Sequence, residues 1–244
     1  MTGPPEALSG HRSMADQEPA AGAGLRAPRV AAVAGIVFAL LLGLALVLIN
    51  VSVPSNPALP GEWRTDGAHR TAIDVALNLV PIAGITFLGF IGVARDRIGQ
   101  REDRFFATLF LGSGMLFVAL LFVAAALADG LITDMASGSS AAPAPDTLAI
   151  GRQVTGLLLR VYATRMAAVF TLSTSIITFR TAVIPRPIAL LGFPVAVVLL
   201  ISVGLTPWVE LLFPAWVLLL SIDILWTGLR QPRSPVGTAM ATGA

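Results

Sequence analysis

Six apolar stretches, at residues 30–51, 72–94, 105–128, 153–179, 187–205 and 208–229, fill more than half of this 244-residue chain. A helix needs about 20 mostly apolar residues to cross the hydrocarbon core of a bilayer. Inside that core only helices and closed barrels satisfy their own backbone groups. The pattern therefore predicts an all-α fold, a polytopic integral membrane protein built as a six-transmembrane-helix bundle. With 55% hydrophobic and only 12% charged residues, the chain has too few polar side chains to clothe an ordinary soluble surface. The first stretch is too long and too far from Met1 for a cleaved secretory signal, and no small-x-small site closes it, so it is expected to stay as an anchor.

Charge sets the expected orientation. Every basic residue is arginine, and the abundance of Ala, Gly, Leu, Val and Pro is the bias of a high-GC genome, which points to a bacterial plasma membrane. With the amino terminus in the cytoplasm, Arg12, Arg26, Arg29, Arg95, Arg97, Arg101, Arg104, Arg180, Arg186, Arg230 and Arg233 share one side. Those are eleven of the sixteen, and the opposite side receives only Arg64, Arg70 and Arg152. The positive-inside rule then puts both termini in the cytoplasm, which six spans allow. The net charge is only +2 and the arginines flank the spans, so they are read as topology signals and no nucleic-acid partner is expected. The bilayer is the expected partner, with another membrane protein as a further one.

Three regions fall outside the spans as expected domains. Residues 1–28 and 230–244 are rich in Pro, Gly and Ala and are expected to be disordered cytoplasmic tails, leaving residues 29–229 as the transmembrane domain. Between spans three and four, the run from Ala136 to Pro145 holds Ser, Gly, Ala and Pro, so Asp129 to Asp146 reads as a flexible external loop. A duplicated half, common in transporters, is not visible. The cytoplasmic hairpin at 94–104 is long and charged, whereas that at 180–187 is short and holds Pro185 and Pro187.

Much chemistry is excluded. Without cysteine there are no disulfides, thiolate metal sites or cysteine nucleophiles. His11 and His69 lie in a tail and a loop, which denies the chain the parts of an intramembrane metalloprotease, a serine-histidine protease or a bis-histidine haem site. Gly112-Ser113-Gly114 resembles a nucleophile motif but has no accompanying base. No nucleotide fingerprint occurs. No catalytic residue, metal ligand or cofactor is assigned, and a non-enzymatic role is expected.

The polar residues inside the spans are the candidates for function. At 100° per residue, Arg160, Thr164, Thr171, Thr174, Ser175 and Thr178 fall within about a third of the circumference of span four and form one polar stripe. Hydroxyls can bond to the carbonyl one turn back, so they are weak signals, whereas charges inside spans are costly and seek partners. Arg165 should lie roughly 22 Å, and Arg160 roughly 30 Å, from the end of the helix at Arg180. The expected pairs are Arg165 with Glu210 or Arg160 with Asp74, acting as a bundle clamp or as an external anion or proton site. Asp74 and Asn78 share a face near the outer end of span two, ahead of Pro81. Asp223 stands in the inner half of span six, where either a proton relay or an ion pair with Arg180 or Arg230 can use it.

Other features read as architecture. Ala31, Gly35, Ala39 and Gly43 form a small-residue ridge along span one, suited to contact inside the bundle and, as a lesser reading, to a dimer. Pro81, Pro194 and Pro214 are expected to interrupt spans two, five and six. Trp63, Trp208, Trp216 and Trp226 supply interfacial anchors at span ends. Two readings of function follow: a membrane protein that binds a lipid, a small ligand or a partner membrane protein through the polar face of span four, or a small permease or proton-coupled transporter.

Overall fold

The computed structural model describes residues 27–52, 67–98, 104–136, 145–181, 185–201 and 207–230. Among them every element is helical. The helices are α1 (Ala27–Ser52), α2 (Gly67–Ile98), α3 (Arg104–Ala136), α4 (Pro145–Leu157), α5 (Thr164–Thr181), α6 (Arg186–Ile201) and α7 (Leu212–Arg230). A π-helical turn, Leu158–Ala163, joins α4 to α5 into one continuous rod, and a 3₁₀ turn, Pro207–Leu211, leads into α7.

Four segments, Arg29–Ser52, Thr71–Arg95, Phe105–Thr133 and Trp208–Thr227, are long and apolar enough to cross a membrane. α6 is apolar but shorter over its described length. The rod through α5 is diluted by its own arginines and hydroxyls. Of the expected tails, residues 1–26 and 231–244 lie outside the described residues, as do Trp63 and residues 202–205 of the fifth expected span, while Ala27, Pro28 and Arg230 are helical.

The helices follow one another around a ring. α1 packs on α2, α2 on α3, α3 on α5, α5 on α6, α6 on α7, and α7 returns to α1. Phenylalanines fill the centre: Phe38 from α1, Phe87 and Phe90 from α2, Phe110 and Phe117 from α3, Phe170 from α5 and Phe213 from α7. Phe87 is the hub. Its ring centroid lies 4.3 Å from that of Phe38, 5.1 Å from Phe170, 5.6 Å from Phe117 and 5.8 Å from Phe213. Aromatic pairs at these separations contribute about 0.5–1.5 kcal/mol each beyond the area they bury. The opposite faces carry exposed aliphatic side chains such as Leu40 and Leu44, Ile82 and Ile85, and Met115 and Leu116.

Several expectations change. The stretch read as a loop from Asp129 to Asp146 is helical up to Ala136 and again from Pro145, which leaves residues 137–144 outside the described part. Pro145 starts its helix because its missing N–H falls among those that have no partner in a first turn. Leu131 and Gly151 then pack the ends of α3 and α4 together, and a methyl group on Gly151 would come 2.7 Å from Leu131 Cδ2. Pro81 and Pro194 do stand inside helices. Pro214 does not interrupt its span: it is the third residue of α7, where an N–H is dispensable.

The ridge of α1 points inward along most of its length. Ala31, Gly35 and Ala39 are buried, and a methyl group on Gly35 would overlap Ser221 Oγ of α7 and approach Phe90 Cδ2 of α2 to 2.9 Å. Gly43 has no neighbour within 4 Å of such a methyl. Trp208 and Trp226 are exposed near the two ends of their span, but Trp216, placed by sequence among the interfacial anchors, is a core residue at 1% exposure.

Candidate functional site

The polar face of the fourth rod divides at the π turn. On the α5 side, Thr171, Thr174, Ser175 and Thr178 are all buried. Thr171 donates to Ala167 O at 2.8 Å, Thr174 to Phe170 O at 2.7 Å, Ser175 to Thr171 O at 2.8 Å and Thr178 to Thr174 O at 2.8 Å. Each hydroxyl is thus satisfied within its own helix and requires neither water nor ligand. Beside this ladder, a methyl group on Gly192 of α6 would overlap Ser175 Oγ and come 3.0 Å from Trp216 Nε1. The stripe is packed here: α5 and α6 meet at Ser175 and Gly192, with Trp216 of α7 against them.

At the π turn the surroundings change. Arg160 lies in it, and Glu210 lies in the 3₁₀ turn ahead of α7. Arg160 Nε stands 3.9 Å from Glu210 Oε1, with the arginine side chain 52% exposed and the glutamate 13%. That separation is an ion pair without a hydrogen bond, and with one partner half in solvent it contributes about 0.2–1 kcal/mol. Neither Arg165 with Glu210 nor Arg160 with Asp74 forms. The carboxylate is the buried member, and the guanidinium reaches it from outside.

Glu210 also borders a small cavity of about 20 Å³, enough for roughly one water. Leu42 and Leu46 of α1, Phe117 and Leu121 of α3, Phe213 of α7 and Thr164 help to wall it. Thr164 donates through its hydroxyl to Leu159 O at 3.1 Å, five residues back. Its backbone N–H bonds to the same carbonyl. This i→i+5 pattern widens the helix, so Thr164 turns to the cavity while Arg160 remains outside it. A uniform α-helix would have put both on one face. Phe117 and Phe213, with centroids 5.0 Å apart, close the cavity against the aromatic centre.

The other sequence candidates lie apart from this pair. Asp74 and Asn78 are exposed on α2, and Asn78 Nδ2 donates to Asp74 O at 2.8 Å, so that amide serves its own helix. Asp223 is half-buried in α7. Arg180, offered above as its partner, lies over the Phe106 ring at 5.0 Å, a cation–π contact. The side chain of Arg230 lies outside the described residues. Arg165 is exposed on α5 and has no ion-pair partner among the described residues.

Sequence reasoning missed two buried polar groups. Trp216 Nε1 and Ser221 Oγ have no hydrogen-bond partner among the described residues. A usable signal existed for Trp216, since it stands near the middle of its span and not at an end. Among the described residues no three His, Asp or Glu side chains gather where they could hold a metal ion.

Fold and site define a class: an all-helical protein, with four helices long and apolar enough to cross a membrane and one charged pair at the mouth of a small apolar cavity. No family model matches the chain, and comparison with curated proteins and with solved structures finds no significant match.

Proposed function

We propose that this is a multi-pass integral membrane protein of a bacterial plasma membrane, with six spans and both termini in the cytoplasm. In this reading it performs no chemistry. It binds a lipid, a small ligand or a partner membrane protein at the outer end of the fourth span. The observation that carries the binding reading is the Arg160–Glu210 pair: a half-exposed guanidinium held loosely over a covered carboxylate, beside a cavity. With its side chain 52% exposed, the guanidinium is accessible to an incoming acceptor, and a bidentate anion suits its geometry. Burial of the hydroxyl ladder moves the binding element away from the middle of the span to its end.

The cavity favours one second reading. A carboxylate beside a water-sized space is where a proton-coupled permease would take up its proton. Against it stands the aromatic centre, which closes the cavity at Phe117 and Phe213. Transport needs access to the polar stripe from both sides in turn.

The absence of cysteine allows a direct test. Single cysteines at Thr164, Thr171 and Thr178 are treated with an impermeant maleimide from each side of oriented membranes. Binding confined to the outer end leaves 171 and 178 unlabelled from both faces, and any labelling at 164 comes from outside alone. Labelling of 171 and 178 from both faces would replace the binding reading with transport.

A further inference from the structure

Arg165 is a cation on an apolar face. It is exposed on α5, and Leu172 and Phe179, seven and fourteen residues further on, continue the same exposed line towards Arg180. Tyr162, one turn earlier, is exposed as well. The neighbouring positions Thr164 and Ala168 are buried against the bundle, so the line faces away from the other helices. Glu210 is engaged by Arg160, and no other acidic side chain among the described residues pairs with Arg165. In a membrane, a face of this kind meets lipid. A guanidinium there requires an anion that the protein does not supply.

Depth narrows the choice of anion. α5 ends just after Arg180, at Thr181, and α6 starts at Arg186. This end therefore marks one interface. Fifteen residues of α-helix place Arg165 roughly 22 Å above it, against a hydrocarbon core of about 30 Å. The remaining roughly 8 Å is a distance that a long side chain covers by reaching along its helix towards the headgroups. The group met there is a lipid phosphate, which a planar guanidinium binds through two parallel N–H donors.

We propose that Arg165 is a phospholipid site: it holds the phosphate of an anionic lipid in the outer leaflet, with the acyl chains lying along Leu172 and Phe179. The proposal rests on the reading that the chain spans a bilayer, and it concerns a face of α5 separate from the Arg160–Glu210 cavity.

The test uses the full chain, purified from membranes, exchanged into mild detergent with phosphatidylglycerol or phosphatidylcholine, and examined by native mass spectrometry for retained lipid. The wild type should retain phosphatidylglycerol in preference to phosphatidylcholine. Arg165→Leu should lower that retention about five-fold, the size of one basic residue's contribution at an anionic surface. Arg165→Lys should lower it less, because the charge stays and only the bidentate geometry is lost. Millimolar inorganic phosphate should leave retention unchanged. Equal retention by wild type and Arg165→Leu would overturn the proposal, and displacement by inorganic phosphate would replace the lipid with a soluble anion. Alkaline carbonate extraction separates the two levels: release of the wild type from membranes defeats the spanning reading, whereas an embedded chain with unchanged lipid retention defeats the lipid site alone. The lysine variant keeps the test decisive if Arg165→Leu is poorly expressed.

Discussion

Gly192 and Ser175 touch so closely that a single methyl group on the glycine would occupy the position of the serine oxygen. This contact sets how near α6 can come to α5, and Trp216 Nε1 closes the same junction from α7. In lipid there is little hydrophobic force between helices, and small residues that permit close approach carry much of the association.

Gly192→Ala should therefore destabilise the protein by about 1–3 kcal/mol, as overpacking of a filled core does. Gly43→Ala and Gly89→Ala, where a methyl meets nothing within 4 Å, should be neutral. Thermal unfolding of the three variants in one detergent checks this, and equal melting temperatures would contradict the packing described.

Gly35 and Ser221 offer a paired test. Gly35→Ala should cost a similar amount because its methyl overlaps Ser221 Oγ. Ser221→Ala alone removes a buried hydroxyl that has no partner among the described residues and should be neutral or stabilising. The double variant should recover part of the loss, leaving the share due to Phe90. Strict additivity in a double-mutant cycle would show that the two positions do not meet.

The Arg160–Glu210 pair should respond asymmetrically. Glu210→Gln leaves a half-exposed arginine to solvent and should cost less than about 1 kcal/mol. Arg160→Ala strands a covered carboxylate and should cost more. Denaturant titrations of both single variants give the comparison, and a larger cost for Glu210→Gln would reverse the assignment of the buried member.

Thr171→Val, Thr174→Val and Ser175→Ala each remove a hydroxyl that bonds only within its own helix. Each should shift stability by less than about 1 kcal/mol, the scale of one such bond, and leave ligand retention intact. A large loss of retention in any of them would return the binding role to the middle of the span.

Phe87→Ala should be the most damaging change in the core, since this ring meets five others. In a bilayer the loss should fall near the low end of the roughly 3–5 kcal/mol known for buried Phe→Ala, because an unfolded chain in lipid also keeps its rings in apolar surroundings. Phe105, which is exposed, supplies the control.

How much of this was legible from sequence follows the physics of each signal. A run such as 30–51 is visible because a long apolar segment leaves only a helix open to the backbone, and α1 covers it with Ala27–Ser52. The hydroxyl face of span four was legible too, since its positions recur at helical spacing in the regular part of the rod. The partner of Arg160 was not. Nothing in Leu158-Leu159-Arg160-Val161-Tyr162-Ala163 marks a π turn, and a constant 100° step carries Arg160 onto the wrong face. Trp216 was misplaced because tryptophan is common at interfaces and composition alone does not register depth. The end of α3 and the start of α4 were lost to the Ser, Gly and Pro of residues 137–145, whose composition hides the helical turns on either side.

The π turn gives the fourth rod two independent phases. α4 follows the register set by Leu131 and Gly151, while α5 follows the one set by Gly192 and Ser175. The wide turn works as a gear change between them, absorbing the angular mismatch that a uniform helix would pass along its length. A π turn holds one residue more than the α turn it replaces, so deleting one residue from 158–163 would restore a regular ladder and leave α4 and α5 near their present phases. Straightening the turn with all six residues kept would instead swing α4 by about 100° relative to α5, and α4 would have to find new contacts on α3.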